Sequence, residues 1–343
     1  MKTFFSEKHR LHFPQGEFFA GELVTPFERP SRVEYVLNRL NERGFERPVD
    51  PGDVDFGPLS RVHDEGFLEF LKTAWADWKA EGFGGEVFAT SFPLQRTPKR
   101  PPPRNIDGKV GYYATSGETA ITAGTWEAAL SSCATAQAAQ RHVAAGARSA
   151  FALCRPPGHH AAGDLFGGFC FLNNAAVVAE MFRMNGAEKV AILDIDFHHG
   201  NGTQDIFYRR GDIFFVSLHG QPEDAYPYFL GYADEKGEGA GEGANVNYPL
   251  APGTTYARWA EALDDAIARI HKAGAEAVVV SLGLDTFKDD PISFFKLESE
   301  DYLDCGRRIA KMGLPTVFVM EGGYSVEALG INTVNVLEGF ENG

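Results

Sequence analysis

Segments typical of buried strands alternate with segments typical of amphipathic helices along nearly the whole chain. Runs such as Ala277-Val278-Val279-Val280 are apolar at every position, which indicates strands buried on both faces of a sheet. The predicted strands are 3–5, 149–153, 190–193, 213–218, 245–248, 277–282 and 316–320. Helical patterns fill most of the intervals between them. This order predicts an α/β protein with one central, mostly parallel sheet of about eight strands, covered by helices on both faces.

The 343 residues are enough for one large α/β domain, and neither an internal repeat nor a clear boundary interrupts them. We therefore predict a single domain over residues 1–343. Within it, residues 82–108 show no regular pattern and are rich in glycine and proline. So long a loop is usually functional or part of an interface, and the alternative is a disordered linker. Phe88, Phe92 and Leu94 favour an ordered loop because they are apolar side chains to bury.

The charge and the cysteines restrict the partners and the compartment. A net charge of −15 disfavours nucleic acid and anionic membranes as partners and is compatible with a cationic substrate. The 4 cysteines form no Cys-x-x-Cys pair, which predicts reduced thiols rather than disulfides or a zinc knuckle. No apolar run is long enough to cross a bilayer, and nothing resembles a signal peptide. We expect a cytoplasmic protein that binds neither nucleic acid nor membrane.

Asp194, Asp196 and His198 directly follow the apolar strand 190–193. Because side chains alternate along an extended chain, all three project to the same side. Carboxylate oxygens and an imidazole nitrogen suit a divalent transition metal, and open α/β sheets bind ligands at such strand ends. The alternative is an acidic strand cap with solvated histidines, which would leave two carboxylates side by side without a partner. The motif therefore predicts a metal site.

Polar side chains that a buried strand does not need follow four of the predicted strands. They are His159 and His160, the 194–198 motif, Asp285, and Tyr324. Since the carboxyl ends of parallel strands share one edge of a sheet, we expect these groups to meet there. Asp196, His198 and Asp285 would then supply three metal ligands and leave an open coordination position. Each group alone is weak evidence, because Asp285 could cap a strand end and Tyr324 could belong to a turn.

This set of groups predicts metal-assisted amide hydrolysis. A divalent metal would polarise an amide carbonyl and lower the pKa of a bound water from about 15.7 toward 7. One imidazole of the pair His159 and His160 would take the proton from that water and protonate the leaving amine. Tyr324 would donate a hydrogen bond to the developing oxyanion. The alternative for the two histidines is a surface loop, but Arg155-Pro-Pro-Gly restricts the backbone before them, as a positioned dyad requires.

Five longer motifs carry these residues. They are Arg155-Pro-Pro-Gly-His-His160, Gly168-Phe-Cys-Phe-Leu-Asn-Asn174, Asp194-Ile-Asp-Phe-His-His-Gly-Asn-Gly-Thr-Gln204, Val280-Ser-Leu-Gly-Leu-Asp285 and Met320-Glu-Gly-Gly-Tyr324. Together they resemble the arginase/histone deacetylase superfamily and, within it, the bacterial acetylpolyamine amidohydrolases. The resemblance covers essentially the whole chain and implies an arginase/deacetylase-like fold.

The resemblance implies two metal sites. The zinc ligands would be Asp196, His198 and Asp285. Iron(II) suits the same ligands. A structural potassium ion would be held, partly through backbone oxygens, by Asp194, Asp196, His198, Ser217 and Leu218. The binuclear manganese site of arginases is not expected, because Phe287 and Gly200 stand where arginases need further carboxylates.

The resemblance also assigns the catalytic roles. It implies His160 as the principal base and acid, His159 as its electrostatic partner, and Asp194 as the group that orients His159. Tyr324 would contact the substrate carbonyl. Asn201 stands where histone deacetylases mostly carry an aspartate, so His160 would face a neutral partner and be less readily held as imidazolium. Acetylpolyamine amidohydrolases are similar to this chain at that position.

Substrate choice is expected to depend on the region 82–118. In acetylpolyamine amidohydrolases the corresponding insertion builds a dimer that narrows the mouth of the substrate tunnel, and acidic residues there meet ammonium groups. Glu118 and Asp107 are candidates for that role, with Glu17 assisting. Ordinary surface charge is the alternative for each of them. The resemblance therefore predicts a homodimer formed through residues 82–108.

The expected function is zinc-dependent deacetylation of N-acetylated polyamines such as acetylputrescine, acetylcadaverine or acetylspermidine. Phe169 and Tyr226 would form the walls of the narrow tunnel. A rival with the same chemistry is deacetylation of acetyl-lysine or of other small acetamides, although the insertion disfavours bulky protein substrates. A rival of another class is a non-catalytic acyl-binding protein. Such a protein would be expected to have lost Tyr324 or the histidine pair, and this chain retains them.

Overall fold

The computed structural model describes residues 1–94, 98 and 100–343. The strands are β1 (Lys2–Phe4), β2 (Glu17–Phe19), β3 (Glu22–Val24), β4 (Ser149–Ala152), β5 (Val190–Asp194), β6 (Ile213–Gly220), β7 (Asn245–Leu250), β8 (Ala277–Leu282) and β9 (Thr316–Met320). The helices are α1 (Ser31–Glu42), α2 (Phe56–Val62), α3 (Glu65–Ala80), α4 (Ile106–Tyr112), α5 (Thr125–Ala144), α6 (Asn174–Met184), α7 (Asn201–Phe207), α8 (Tyr256–Ala273), α9 (Asp301–Ala310) and α10 (Val326–Glu341). Within the described ranges, no helix combines the length and apolar character needed to span a bilayer.

Seven strands form one wholly parallel sheet in the order β1-β4-β9-β8-β5-β6-β7. After β5 the chain adds β6 and β7 on one side, and after β8 it adds β9 on the other. The direction of winding therefore reverses between the neighbouring strands β8 and β5. The crevice at such a switch point is where open α/β sheets bind ligands.

The core of the sheet is apolar and fully covered. β5, β8 and β9 are buried at every position, as expected for apolar, β-branched strands between two layers of helices. All seven strands lie where the sequence pattern placed them, within a few residues at each end. The prediction of a central parallel sheet is confirmed, with seven strands in the described residues where about eight were expected.

β2 and β3 form a separate antiparallel hairpin in a stretch that the sequence pattern placed in a loop. Its two-residue turn consists of Ala20 and Gly21, whose φ values of 50° and 86° are both positive. Hairpin turns of this kind usually contain Asn-Gly or Gly-Gly, so Ala-Gly is a weak signal and the hairpin was missed. Phe18, Phe19 and Leu23 are exposed on the hairpin.

The segment 82–108 is tied to the domain at several points. Val87 pairs with Ile121 in an isolated antiparallel bridge. The side chain of Asn105 caps α4, which begins inside the segment and was not predicted. Gly111 of α4 lies so close to the carbonyl oxygen of Ser91 that a Cβ there would be 1.5 Å from it. Residues 95–97 and 99 of this predicted dimerisation loop lie outside the described residues.

Candidate active site

Four adjacent strands carry the predicted site residues. β4, β9, β8 and β5 are consecutive neighbours in the sheet, and their carboxyl ends share one edge. The loops after them contain His159, His160, Asp196, His198, Asp285 and Tyr324, all of which are buried. Groups far apart in sequence therefore meet at the edge where the alternating pattern predicted them, directly above the switch point.

Asp196, His198 and Asp285 form a candidate metal site. One ligand atom of each lies within 4.8 Å of the other two. His198 Nδ1 is 2.9 Å from Asp285 Oδ2 and 3.3 Å from Asp196 Oδ1. Burial and the charge of Asp196 raise the pKa of Asp285 to about 7. Two buried carboxylates this close together need a cation, and this donor set suits a divalent transition metal. The residues present therefore fit such an ion.

Gly322 allows the two carboxylates to approach each other. A Cβ there would lie 2.6 Å from Asp285 Oδ2 and 2.7 Å from Asp196 Oδ2. The Gly322 N–H instead donates to Asp196 Oδ2 at 2.8 Å, and the Phe197 N–H donates to Asp285 Oδ1 at 2.8 Å. One oxygen of Asp285 and both oxygens of Asp196 therefore accept backbone N–H groups, since the His198 N–H donates to Asp196 Oδ1 at 2.9 Å. Asp285 Oδ2 and Asp196 Oδ1 also lie near the His198 imidazole.

His159 and His160 lie side by side, with ring centroids 4.0 Å apart, but they have different partners. His159 Nδ1 donates to Asp194 Oδ2 at 3.0 Å. Burial would lower the pKa of His159, but the carboxylates of Asp196 and Asp194 outweigh it and raise the pKa to about 10. His160 Nδ1 donates to the side-chain oxygen of Asn201 at 2.6 Å. Since a neutral imidazole carries one proton, Nε2 of His160 keeps its lone pair.

The pKa values of the two histidines shift in opposite directions. Burial and the positive charges of His159 and His198 hold the pKa of His160 well below its usual value. These shifts favour the protonated form of His159 and the neutral form of His160. Neighbouring groups whose pKa values are driven apart are typical of acid and base catalysis. His160 has the free lone pair that a general base requires.

Tyr324 ends the turn that follows β9, and Arg32 holds that turn. Arg32 donates to the backbone oxygen of Glu321 at 2.6 Å and to that of Gly323 at 2.7 Å. Its guanidinium carbon lies 4.9 Å from the centre of the Tyr324 ring. Burial places these charge-assisted hydrogen bonds out of water, where they are strongest.

Sequence reasoning missed the buried charges beside this turn. Glu28 Oε1 accepts from Arg32 at 3.0 Å and from Arg155 at 2.8 Å. Glu321 Oε2 accepts the N–H of His159 at 3.2 Å. Glu28 and Arg32 have the i,i+4 spacing of ordinary surface ion pairs, so their burial could not be inferred locally. Arg155 lies in a recognised motif, but only its prolines and glycine were interpreted.

A cavity of about 600 Å³ is lined by His160, His198 and Tyr324, within the size range of small-molecule sites. Phe169 and Tyr226, the predicted tunnel walls, line it as well. The Phe169 ring is 5.7 Å from the ring of Tyr324, and the Tyr226 ring is 5.0 Å from that of His160. Phe169 has a φ of 65°, a conformation that non-glycine residues rarely adopt.

The cavity lining includes carboxylates and histidines but no lysine or arginine among the described residues. The carboxylates are Glu17, Glu118 and Asp224. Glu118 Oε1 accepts from Ser116 Oγ at 2.6 Å and from the Gly168 N–H at 3.1 Å. Gly168 in turn packs on His160, where a Cβ would lie 2.3 Å from the imidazole ring. Glu118 is thus held close to the candidate base.

The other predicted acidic residues lie in different surroundings. Glu17 is buried and accepts the Phe27 N–H at 2.9 Å. Burial, partly opposed by that hydrogen bond, raises the pKa of Glu17 to about 7. Asp107 lies in the first turn of α4 and does not line the cavity of this chain. Asp224 lines it but was missed, because it is one of two adjacent exposed carboxylates in a loop without a pattern.

Three of the residues predicted to bind potassium lie on neighbouring strands. Asp194 of β5 is opposite Ser217 of β6 in the sheet, and Leu218 follows Ser217. All three are buried. Asp194 Oδ1 accepts the Asp196 N–H at 3.1 Å, and Ser217 Oγ contacts His219 Nδ1 at 2.8 Å.

A model of the histone deacetylase domain matches residues 26–340. The chain belongs to the histone deacetylase domain family. Acetylpolyamine amidohydrolase of Mycoplana ramosa is 57% identical over 339 residues, and the match covers 99% of each chain. Acetylpolyamine amidohydrolase 1 of Pseudomonas aeruginosa is 56% identical over 342 residues, again covering 99% of each chain. The family predicted from the five motifs is confirmed.

Solved structures of histone deacetylase relatives share the fold. A crystal structure of acetylpolyamine aminohydrolase from Burkholderia pseudomallei matches with a TM-score of 0.94 and 38% identity, covering 99% of this chain and 98% of that chain. The HDA15 HD domain matches with a TM-score of 0.81 and 26% identity, covering 98% and 87% of the two chains. The histone deacetylase match includes every candidate site residue from Asp107 to Tyr324, whereas Glu17 precedes it.

Proposed function

We propose that this histone deacetylase family member hydrolyses N-acetylated polyamines, such as acetylputrescine, acetylcadaverine and acetylspermidine, to acetate and free amine. One observation carries the proposal: the cavity that reaches His160 and Tyr324 is lined by carboxylates without lysine or arginine among its described residues. A slender cationic acetamide is the substrate that such a cavity attracts. Relatives at 54% to 57% identity that are named acetylpolyamine amidohydrolases support the same substrate class.

The candidate metal ligands would hold the ion that polarises the substrate carbonyl. A zinc ion, or iron(II), on Asp196, His198 and Asp285 would supply a Lewis acid for the amide carbonyl and acidify water. We also propose a structural potassium ion on Asp194, Ser217 and Leu218, shared with Asp196 and His198. The adjacency of Asp194 and Ser217 in the sheet supports this second site.

The protein's own groups would then move the protons. His160 Nε2 takes a proton from the attacking water, and the same group protonates the leaving nitrogen as the carbon–nitrogen bond breaks. His159, protonated and bonded to Asp194, favours the neutral form of His160 before the reaction. Tyr324 donates to the carbonyl oxygen as negative charge develops there. The products are acetate and the free amine.

The test is a comparison of kcat/KM for acetylputrescine, a neutral N-alkylacetamide of equal length and an acetyl-lysine peptide. The zinc-loaded protein should prefer acetylputrescine over the neutral amide by tenfold or more. Glu118→Gln should reduce that preference about tenfold. It removes the proposed charge-assisted hydrogen bond from the substrate ammonium group to Glu118, and such bonds are worth about 1.5–3 kcal/mol. Glutamine keeps an acceptor for Ser116 and Gly168, so the loop is retained.

The ratio of kcat/KM for acetylputrescine to kcat/KM for the neutral amide should fall when the pH is lowered from 8 to 6. Glu17, with its pKa raised to about 7 by burial, is ionised above that pH and attracts the ammonium group, whereas below it the charge is lost. The catalytic groups titrate in the same way for both substrates, so their titration cancels in this ratio. The control for Glu118→Gln is Glu127→Gln, which changes an exposed carboxylate outside the cavity and should leave the preference for acetylputrescine unaltered. Equal rates on all three substrates would leave an amide hydrolase but remove polyamines as its substrate, and preference for the peptide would favour acetyl-lysine.

We further propose a cytoplasmic homodimer. Large apolar side chains are exposed on the β2–β3 hairpin, in the insertion and in the 228–230 loop: Phe18, Phe19, Leu23, Phe92, Tyr228 and Phe229. Phe18, Phe19 and Tyr228 line the same cavity, and contiguous exposed apolar surface usually marks an interface. Sedimentation equilibrium should give about twice the chain mass of 37.5 kDa, and a single species at the monomer mass would contradict the dimer.

All 4 cysteines are free and buried, which supports the proposed cytoplasmic location, because the cytoplasm is a reducing compartment. Cell fractionation would test this location.

A further inference from the structure

Asp290 is a buried carboxylate to which sequence analysis gave no role. Its Oδ2 accepts the Tyr324 N–H at 2.7 Å and the Ser325 N–H at 3.2 Å. Its Oδ1 accepts the Ile292 N–H at 3.1 Å. The side chain does not line the cavity, whereas Tyr324 and Ile292 both do. One carboxylate therefore joins the backbone of the candidate catalytic tyrosine to a wall of the substrate cavity.

The Tyr324 turn needs such an anchor. Gly322 and Gly323 precede the tyrosine, and Gly323 has a φ of 120°, so this backbone has few intrinsic restraints. Ser325, at the start of α10, makes no capping hydrogen bond with its own side chain. Asp290 binds N–H groups at this end of α10, where the helix dipole favours a negative charge. Arg32 binds carbonyl oxygens of the same turn.

We propose that Asp290 is a positioning residue for amide hydrolysis, which acts by fixing the backbone of Tyr324 relative to the cavity wall at Ile292. Its side chain neither lines the cavity nor belongs to the candidate metal ligands. The inference rests on the proposed function, because it concerns the hydrogen bond that Tyr324 gives to the substrate carbonyl. A displacement of about 1 Å in such a group can cost about 10²-fold in rate.

Asp290→Asn tests the proposal. The amide keeps a single acceptor oxygen, and its NH2 group faces backbone N–H donors, so at least one of the three hydrogen bonds is lost. We expect kcat to fall about 10- to 100-fold, with a smaller change in KM and full zinc content. Asp290→Glu keeps the charge and both acceptors and should recover part of kcat. The matched control is Asp289→Asn, which changes the exposed neighbouring carboxylate and should leave kcat unaltered.

A double-mutant cycle with Tyr324→Phe separates positioning from general structural damage. If Asp290 acts through the Tyr324 hydroxyl, Asp290→Asn should lower kcat by less than about threefold in the Tyr324→Phe background. The proposal would be overturned if Asp290→Asn lowered kcat by the same factor in the wild-type and the Tyr324→Phe backgrounds. It would also be overturned if Asp290→Asn alone left kcat unchanged. If Asp290→Asn does not fold, Asp290→Glu is used in the same cycle. Its loss of kcat must then also be smaller in the Tyr324→Phe background than in the wild type. Wild-type protein that hydrolyses none of the acetamides would instead contradict the proposed function.

Discussion

Replacing His160 by alanine should lower kcat/KM for acetamide hydrolysis by about 10²–10⁴-fold, the usual contribution of a positioned acid or base. Its Nδ1 donates to the Asn201 oxygen at 2.6 Å, which leaves Nε2 as the only lone pair of the ring. The positive charge of His159 and burial keep that nitrogen unprotonated. No other imidazole of the site is free for this task, because His159 is bonded to Asp194, which favours its protonated form, and His198 faces two carboxylates.

Steady-state kinetics on acetylputrescine and metal analysis check this prediction together. Zinc content should not change, since His160 is outside the Asp196, His198 and Asp285 set. His271→Ala, an exposed histidine in α8, serves as the control and should retain full activity. A His160→Ala protein with less than a tenfold loss and full zinc content would show that another group transfers the proton.

Replacing Asp285 by asparagine should abolish stable binding of the divalent ion and, with it, activity. Substitutions of groups that only orient metal ligands cost about 10–100-fold in affinity, and loss of a ligand carboxylate should cost more. Asparagine also removes one of the two negative charges that make this buried site suitable for a dication. The purified variant should therefore contain little zinc or iron by elemental analysis.

Thermal unfolding gives an independent measurement. A ligand at 100 times its Kd stabilises the folded state by about 2.7 kcal/mol, so zinc should raise the Tm of the wild type but not that of Asp285→Asn. Bound potassium should remain in the variant, because Asp285 is not one of its proposed ligands. Asp234→Asn, an exposed carboxylate, should behave as wild type in every measurement. Full zinc content in Asp285→Asn would exclude Asp285 as a ligand, and absence of potassium from the wild type would contradict the second site.

Local sequence patterns were sufficient for the sheet and for much of the site. Most of the parallel strands follow apolar runs, because a strand buried on both faces needs one, whereas β7 at the sheet edge is only partly buried and alternates polar and apolar residues. Asp194, Asp196 and His198 were identifiable because, as a strand cap alone, two carboxylates would lie side by side without a partner. Their meeting with Asp285 followed from the common edge of a parallel sheet.

Features that depend on distant parts of the chain were not predictable in the same way. The β2–β3 hairpin has only a weak turn signal, and the burial of Glu28 and Arg32 depends on Arg155, which lies far along the chain. Asp290 resembles any polar loop residue until the structure shows its three hydrogen bonds. The presence of Asp224 in the cavity wall likewise results from how its loop folds.

The sequence by itself determined the fold class and the family, and it predicted the residues of the candidate site. These properties are encoded in short runs, where burial, side-chain alternation and ligand chemistry act over a few residues. Only the tertiary structure decided that β4, β9, β8 and β5 are neighbours, and that Asp107 lies off the cavity while Asp224 lines it. It also determines that the pKa values of His159 and His160 shift in opposite directions. Strand order, cavity shape and pKa depend on contacts between distant segments, which no local pattern specifies.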